Sequence, residues 1–195
     1  MPVVSDIPSL RDRKKDETRR SLMYAALELF AEHGFDHVTI EQIAERANVA
    51  PRTFFRYFDS KAAACFGLVP TELEELEQTG DVLATTEAQI RDYADRVRDD
   101  PHFYETQARL AVEHKEVRLK RLEILLSFEH AISEALLREH PGLDRLRARL
   151  VACLPSHTVR AAMDEWVRVG APKRGPDFER ALAAMRDAAA ALVSR

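Results

Sequence analysis

The chain has 195 residues, 32% of them charged and 46% hydrophobic, with a net charge of -4 and a pI near 6.0. This is the balance of a folded soluble protein, one large helical domain or a small domain joined to a larger one; no apolar run reaches the roughly 20 residues a membrane helix needs, and MPVVSDIPSL lacks the charged start and apolar stretch of a secretion signal. The acidic total argues against an indiscriminate nucleic-acid binder, yet the charge is unevenly placed: RDRKKDETRR, residues 11–20, holds six basic and three acidic side chains, and residues 71–88 hold six acidic and no basic ones.

Few glycines and no sustained β-branched alternation predict an all-α fold. Residues 1–10 carry two prolines and no periodicity and read as a disordered arm. A first helix is expected from Asp12 to His33, with Leu22, Ala25, Ala26, Leu29, Phe30 and His33 on one apolar stripe and Gly34 as a left-handed stop. Thr39 and Gln42 form a capping box that opens a short second helix, Ile40 to Ala47, with Ile40, Ile43, Ala44 and Ala47 inward. Asn48 tolerates the left-handed conformation that ends it, and Pro51 suits the first turn of a third helix, Pro51 to Phe58. Helix, tight turn, helix is the helix-turn-helix pattern.

Ser60 is placed to cap a fourth helix running through Cys65 and Leu68, and Thr71-x-x-Glu74 to cap a further helix after Pro70. Beyond it, helices are expected near 86–99, 101–115, 117–139, 143–154, 156–169 and 177–194, broken at Asp100-Pro101, Pro141-Gly142, Pro155-Ser156 and around Pro172 to Pro176. Cys65 and Cys153 lie far apart on apolar patterns and are expected as reduced, buried thiols of a cytoplasmic protein.

On the third helix, Phe54 and Phe58 share one sector and point inward. Arg52, Thr53 and Arg56 then face out, flanked by Phe55 and Tyr57. An arginine grips guanine with two hydrogen bonds, worth about 1–3 kcal/mol of discrimination, and a methyl or aromatic carbon packs on thymine. Thr39 and Lys61 bracket this face and are placed to clamp phosphates, with the basic stretch Arg11 to Arg20 adding to them. Each feature alone is what a solvated helix face shows; their arrangement carries the reading.

That arrangement, AALELFAEHGFDHVTIEQIAERANVAPRTFFRYFDSKAAACF, closely resembles the TetR family of regulators over about residues 18–66. The resemblance implies an N-terminal three-helix DNA-binding domain, residues 11–68, followed by a helical effector-binding and dimerisation domain, residues 69–195. It implies that Thr39 and Lys61 contact phosphate and that Arg52, Thr53, Phe55, Arg56 and Tyr57 face DNA. Three positions depart from the family pattern. Asn48 replaces a glycine, Ala50 replaces the serine or threonine that caps the third helix, and Phe55 replaces a tyrosine, so a phosphate bond through that hydroxyl is lost. The implied function is a homodimeric transcription regulator, by family habit a repressor, released from a near-palindromic double-stranded operator by a small molecule, with the fourth helix as the lever.

The stretch from Asp100 to Trp166 weakly resembles the C-terminal domain of actinobacterial members that include the mycofactocin-associated regulator, which suggests an acyl-CoA-like or other lipidic effector. Phe103, Tyr104, Phe128 and Trp166 are candidates to line its pocket, although core packing is the commoner role of such side chains. Arg109, Arg118 and Arg121 are candidates to meet an anionic ligand. Phe178, Leu182, Met185, Ala189 and Leu192/Val193 form a stripe that suits a dimer interface, with an ordinary core helix as the alternative.

An enzyme and a protein-binding helical adaptor are the rival classes. No cofactor motif, Gly-rich phosphate loop or Gly-x-Ser-x-Gly is present. His33 and His37 are separated by Gly34, and His114 with Glu113 and Glu116 lacks a second cluster, so no metal site is expected.

Overall fold

The computed structural model describes residues 10–66, 69–170 and 175–193, and every regular element among them is helical. The expected arm lies almost wholly outside these residues, as does Leu68; the side chains of Thr71, Glu74, Leu192 and Val193 are outside the described ones too. The chain divides into two compact units, residues 1–68 and 69–195.

In the first unit, α1 runs Leu10–His33, α2 Ile40–Arg46 and α3 Pro51–Phe54. Helix α1 is buried on more than the expected stripe, because Met23 and Leu27 join Leu22, Ala25, Ala26, Leu29 and Phe30 in the core. A central helix with partners on several sides needs that broad apolar surface. His33, expected on the stripe, is exposed instead. Gly34 has φ 80 and ψ 145, a positive-φ extended conformation rather than a left-handed helical one.

The turn between α2 and α3 is set by hydrogen bonds. The Val49 N–H donates to Ala44 O at 2.9 Å and the Asn48 N–H to Glu45 O at 2.9 Å. This is a Schellman stop with Asn48 as its left-handed residue, at φ 54. Asparagine serves where glycine is usual because its short polar side chain tolerates that region. Ala50 at the start of α3 gives no side-chain cap. Residues after Phe54 continue in tightened turns, with Tyr57 N–H donating to Phe54 O at 2.9 Å and Phe58 N–H at 3.0 Å. The third helix is therefore shorter than expected by strict α geometry, while its chain path still carries Phe55 to Tyr57 around the same axis. The expected fourth helix begins as a 3-10 segment, Ala63–Phe66, whose Ala63 N–H donates to Ser60 Oγ at 3.2 Å.

The second unit holds α4 (Val69–Gln78), α5 (Val82–Asp99), α6 (Pro101–Glu113), α7 (Lys115–Glu139), α8 (Arg145–Arg168) and α9 (Phe178–Val193). Helix α4 starts before Thr71 and takes Pro70 into its first turn, where a missing N–H costs nothing. Helix α5 starts four residues before its expected first residue because Asp81 caps it, accepting from the Ala84 N–H at 3.0 Å. Asp100 and Asp144 cap α6 and α8 in the same way.

The expected break at Pro155 does not occur: α8 passes through it unbroken. A proline inside a helix removes one hydrogen bond and costs about 3 kcal/mol. Here Val151, Ala152 and Pro155 on one side and Met163 and Trp166 on the other are all buried. Two halves that bury apolar surface along one line hold the helix together against that local cost. Leu76, Val82, Ile132, Ala135, Leu136, Ala148, Val151, Ala152 and Ala189 form one core cluster drawn from α4, α5, α7, α8 and α9. Phe178, Leu182, Met185 and Ala189 are all buried within the chain. These four residues of the α9 stripe are core residues of the chain.

Candidate nucleic-acid interface

The reading surface rests on two buried phenylalanines. Phe54 is fully buried and Phe58 nearly so, their ring centroids 5.5 Å apart. With these rings facing in, helical geometry turns Arg52, Phe55 and Arg56 out to solvent and leaves Thr53 and Tyr57 half-buried beside them. Phe55 is 61% exposed, a large apolar side chain with little to cover it in the free protein. It stands edge-on to Phe54, with centroids 5.7 Å apart.

Arg56 does not extend freely. Its Nη2 donates to the Tyr57 hydroxyl at 3.0 Å, and its guanidinium carbon lies 5.0 Å from the centre of the same ring. Arg19 of α1 approaches that ring as well, at 5.9 Å. In the sequence Arg19 is only one member of a basic stretch, and nothing in its spacing names Tyr57 as its partner.

Thr39 has the geometry its cap requires. Its hydroxyl accepts from the Gln42 N–H at 3.3 Å, and its own N–H donates to the Gln42 side chain at 2.8 Å. The residue is exposed. Lys61 is placed differently from a free clamp. Its ammonium donates to Phe35 O at 2.6 Å and Val38 O at 3.1 Å and lies 4.4 Å from the Phe35 ring centre. Two of its three donors tie the α1–α2 connection to the segment after α3, which leaves one donor for a phosphate.

In the second unit two of the four pocket candidates stand in one aromatic group. Phe103 and Tyr104 are buried with Tyr93 and Phe178, in edge-on contacts whose centroids are 5.1, 5.2 and 5.8 Å apart. Phe128 packs on the Leu76 and Ile132 cluster, and Trp166 is buried on α8. Arg109 and Arg118 are exposed; Arg121 pairs with Asp164 at 3.4 Å. Sequence reasoning missed an ion pair beside the aromatic group, where Arg96 of α5 meets Glu72 of α4 at 2.6 Å and also Asp92. Burial pushes the Glu72 carboxyl above its ordinary value, more than Arg96 holds it down. Burial also raises the Cys65 thiol to about 12, so it stays neutral. Among the described residues no group of three or more His, Cys, Asp or Glu side chains can hold a metal ion, and no helix is long and apolar enough to cross a membrane.

A three-helix unit with a Schellman turn between its second and third helices, and arginines and an aromatic side chain facing out from the third, has the helix-turn-helix arrangement. Residues 22–63 match the model of the bacterial regulatory proteins, tetR family. Among the described residues the chain has an all-α architecture, a smaller helix-turn-helix unit followed by a larger helical unit.

The chain is 57% identical over 54 residues to the transcriptional regulator TcmR of Streptomyces glaucescens, covering 28% of this chain and 24% of that protein. It is 42% identical over 65 residues to MftR of Mycobacterium tuberculosis, a protein named for regulating mycofactocin biosynthesis, covering 33% of each. The chain thus spans a quarter to a third of the length of these relatives. Over 90% of this chain and 97% of the other, the fold is similar to FadR of Bacillus subtilis, solved with stearoyl-CoA, at a TM-score of 0.53 and 22% identity.

Proposed function

We propose that this chain is a TetR-type transcriptional regulator that binds double-stranded DNA. The observation that carries the reading is the outward face of Arg52, Phe55 and Arg56, with half-buried Thr53 and Tyr57 beside them, on a helix anchored by buried Phe54 and Phe58. Arg52 and Thr53 read base edges, and Phe55 packs on a thymine methyl. Thr39 contacts a phosphate, and Lys61 offers its remaining donor to another.

The regulator acts as a homodimer on a near-palindromic operator, since two identical reading helices match two half-sites one turn apart. The apolar side chains left for a second copy include Leu119, Leu122 and Leu126 of α7 and Leu146 and Leu150 of α8. It works in the cytoplasm, represses when bound, and is released when a small molecule occupies the second unit. The aromatic group of Phe103 and Tyr104 is the first place to look for that molecule, with Phe128 and Trp166 further candidates. The similarity of fold to a stearoyl-CoA complex supports an acyl-CoA-like effector. Release requires only that the effector prefer a conformation unsuited to DNA, and coupling of about 1–3 kcal/mol is typical.

Stoichiometry on DNA tests the dimer. Sedimentation of the protein with a duplex carrying both half-sites is expected to show two chains per duplex, and a single half-site is expected to bind far more weakly. One chain per duplex, with equal affinity for the half-site, contradicts the dimeric reading. Fluorescence of Trp166, the chain's single tryptophan, reports effector binding to the second unit without DNA.

A further inference from the structure

We propose that Arg19, Tyr57 and Arg56 form a site for one backbone phosphate of the duplex, so that α1 holds the DNA together with the reading helix. This rests on the DNA-binding function proposed for the chain and assigns Arg56 a different task from reading a base.

Two guanidinium groups from different elements converge on one ring, Arg19 at 5.9 Å and Arg56 at 5.0 Å from the Tyr57 centroid. Among the described residues neither forms an ion pair with a carboxylate. Arg46 shows what a paired arginine of this unit looks like, with Glu28 at 3.3 Å and Glu32 at 2.9 Å. Gathering two unneutralised positive charges around one side chain is unfavourable in the free protein and becomes favourable when an anion sits between them.

The hydrogen-bond inventory fits a phosphodiester. The Tyr57 oxygen accepts from Arg56 Nη2 at 3.0 Å, so its own hydrogen remains to donate to an anionic oxygen. Arg19 Nε is buried with no acceptor, and it is the single nitrogen of Arg19 in that condition. The side chain as a whole is half-buried, with its guanidinium carbon 5.9 Å from the Tyr57 ring centre. Arg56 spends Nη2 on the Tyr57 hydroxyl and has Nε and Nη1 as further donors. A planar fork suits a phosphate, and the aromatic ring fixes the direction of both forks before DNA arrives. With Arg56 tied to Tyr57, base reading falls to Arg52, Thr53 and Phe55.

The test is the salt dependence of binding to a duplex the wild-type protein selects. Arg19→Gln is expected to weaken binding to all duplexes alike, leave the preferred bases unchanged, and reduce the slope of log K against log salt by about 1. Arg56→Gln is expected to do the same, and Arg19→Lys is expected to restore the slope. A duplex with one neutral methylphosphonate linkage per half-site, moved along the strand, is expected to weaken wild-type binding at one position that no longer matters in Arg19→Gln. That scan on the wild-type protein also serves if Arg19→Gln fails to fold. An unchanged slope in Arg19→Gln, or an altered base preference in Arg56→Gln, overturns the phosphate site while leaving the DNA-binding function standing. Failure of the wild-type protein to bind any duplex overturns both.

Discussion

Replacing Phe54 with alanine is expected to lower the stability of the N-terminal unit by about 3–5 kcal/mol, the cost of removing a buried phenylalanine from a packed core. Phe54 is fully buried and touches the rings of Phe55 and Phe58, so one substitution withdraws the support from beneath the whole reading face. A domain has only about 5–15 kcal/mol of stability to lose, so a unit of this size is expected to unfold near physiological temperature. The measurement is thermal unfolding by circular dichroism, with duplex binding followed in parallel. Both signals should fall together. A variant that keeps its melting temperature but no longer binds DNA contradicts the role given to Phe54, because it places that ring in the contact surface rather than beneath it.

The second large effect lies in the other unit. Arg96→Met is expected to cost about 3 kcal/mol at pH 7, since removing one partner of a largely buried pair leaves the other charge uncompensated. The pair qualifies because the Arg96 and Glu72 side chains are only 27% and 22% exposed and meet at 2.6 Å. The pH dependence has a definite sign. Burial already raises the folded-state value of Glu72 above its ordinary one, and Arg96 is the principal group opposing that rise. Below the ordinary carboxylate value Glu72 is protonated in both folded and unfolded chains, and the deficit is small. As pH rises, the unfolded chain ionises freely while the folded variant resists, so the deficit grows to its full size. Denaturant titrations at acid and neutral pH measure this. Adding Glu72→Gln should recover most of the loss. A deficit that is the same at both values would mean that Arg96 contributes packing alone.

The helix-turn-helix was legible because its signals are local. Thr39 with Gln42, Asn48, Pro51 and the spacing of Phe54 and Phe58 each act over a turn or two of chain, and the structure gives each the conformation its chemistry requires. What local signals missed was decided by tertiary packing. Pro155 reads as a break, yet burial on both sides of it keeps α8 continuous. The α9 stripe reads as interface or as core, and the burial of its Phe178, Leu182, Met185 and Ala189 comes from packing against distant parts of the chain. Lys61 reads as a free clamp because sequence does not reveal the carbonyl groups of Phe35 and Val38 that its ammonium meets. The convergence of Arg19 on Tyr57 was invisible for the same reason, since the two residues lie 38 positions apart.

The regulatory function proposed for the chain depends on the first unit reading a specific duplex sequence. Selection of random duplex DNA on the purified protein, with the enriched sequences retested at two salt concentrations, tests this most directly. The expected result is enrichment of a near-palindrome whose preferred bases change when Arg52 is replaced by glutamine. Weak binding without enrichment, lost uniformly as salt rises, would contradict sequence reading and favour a helical adaptor that uses the same fold to bind protein.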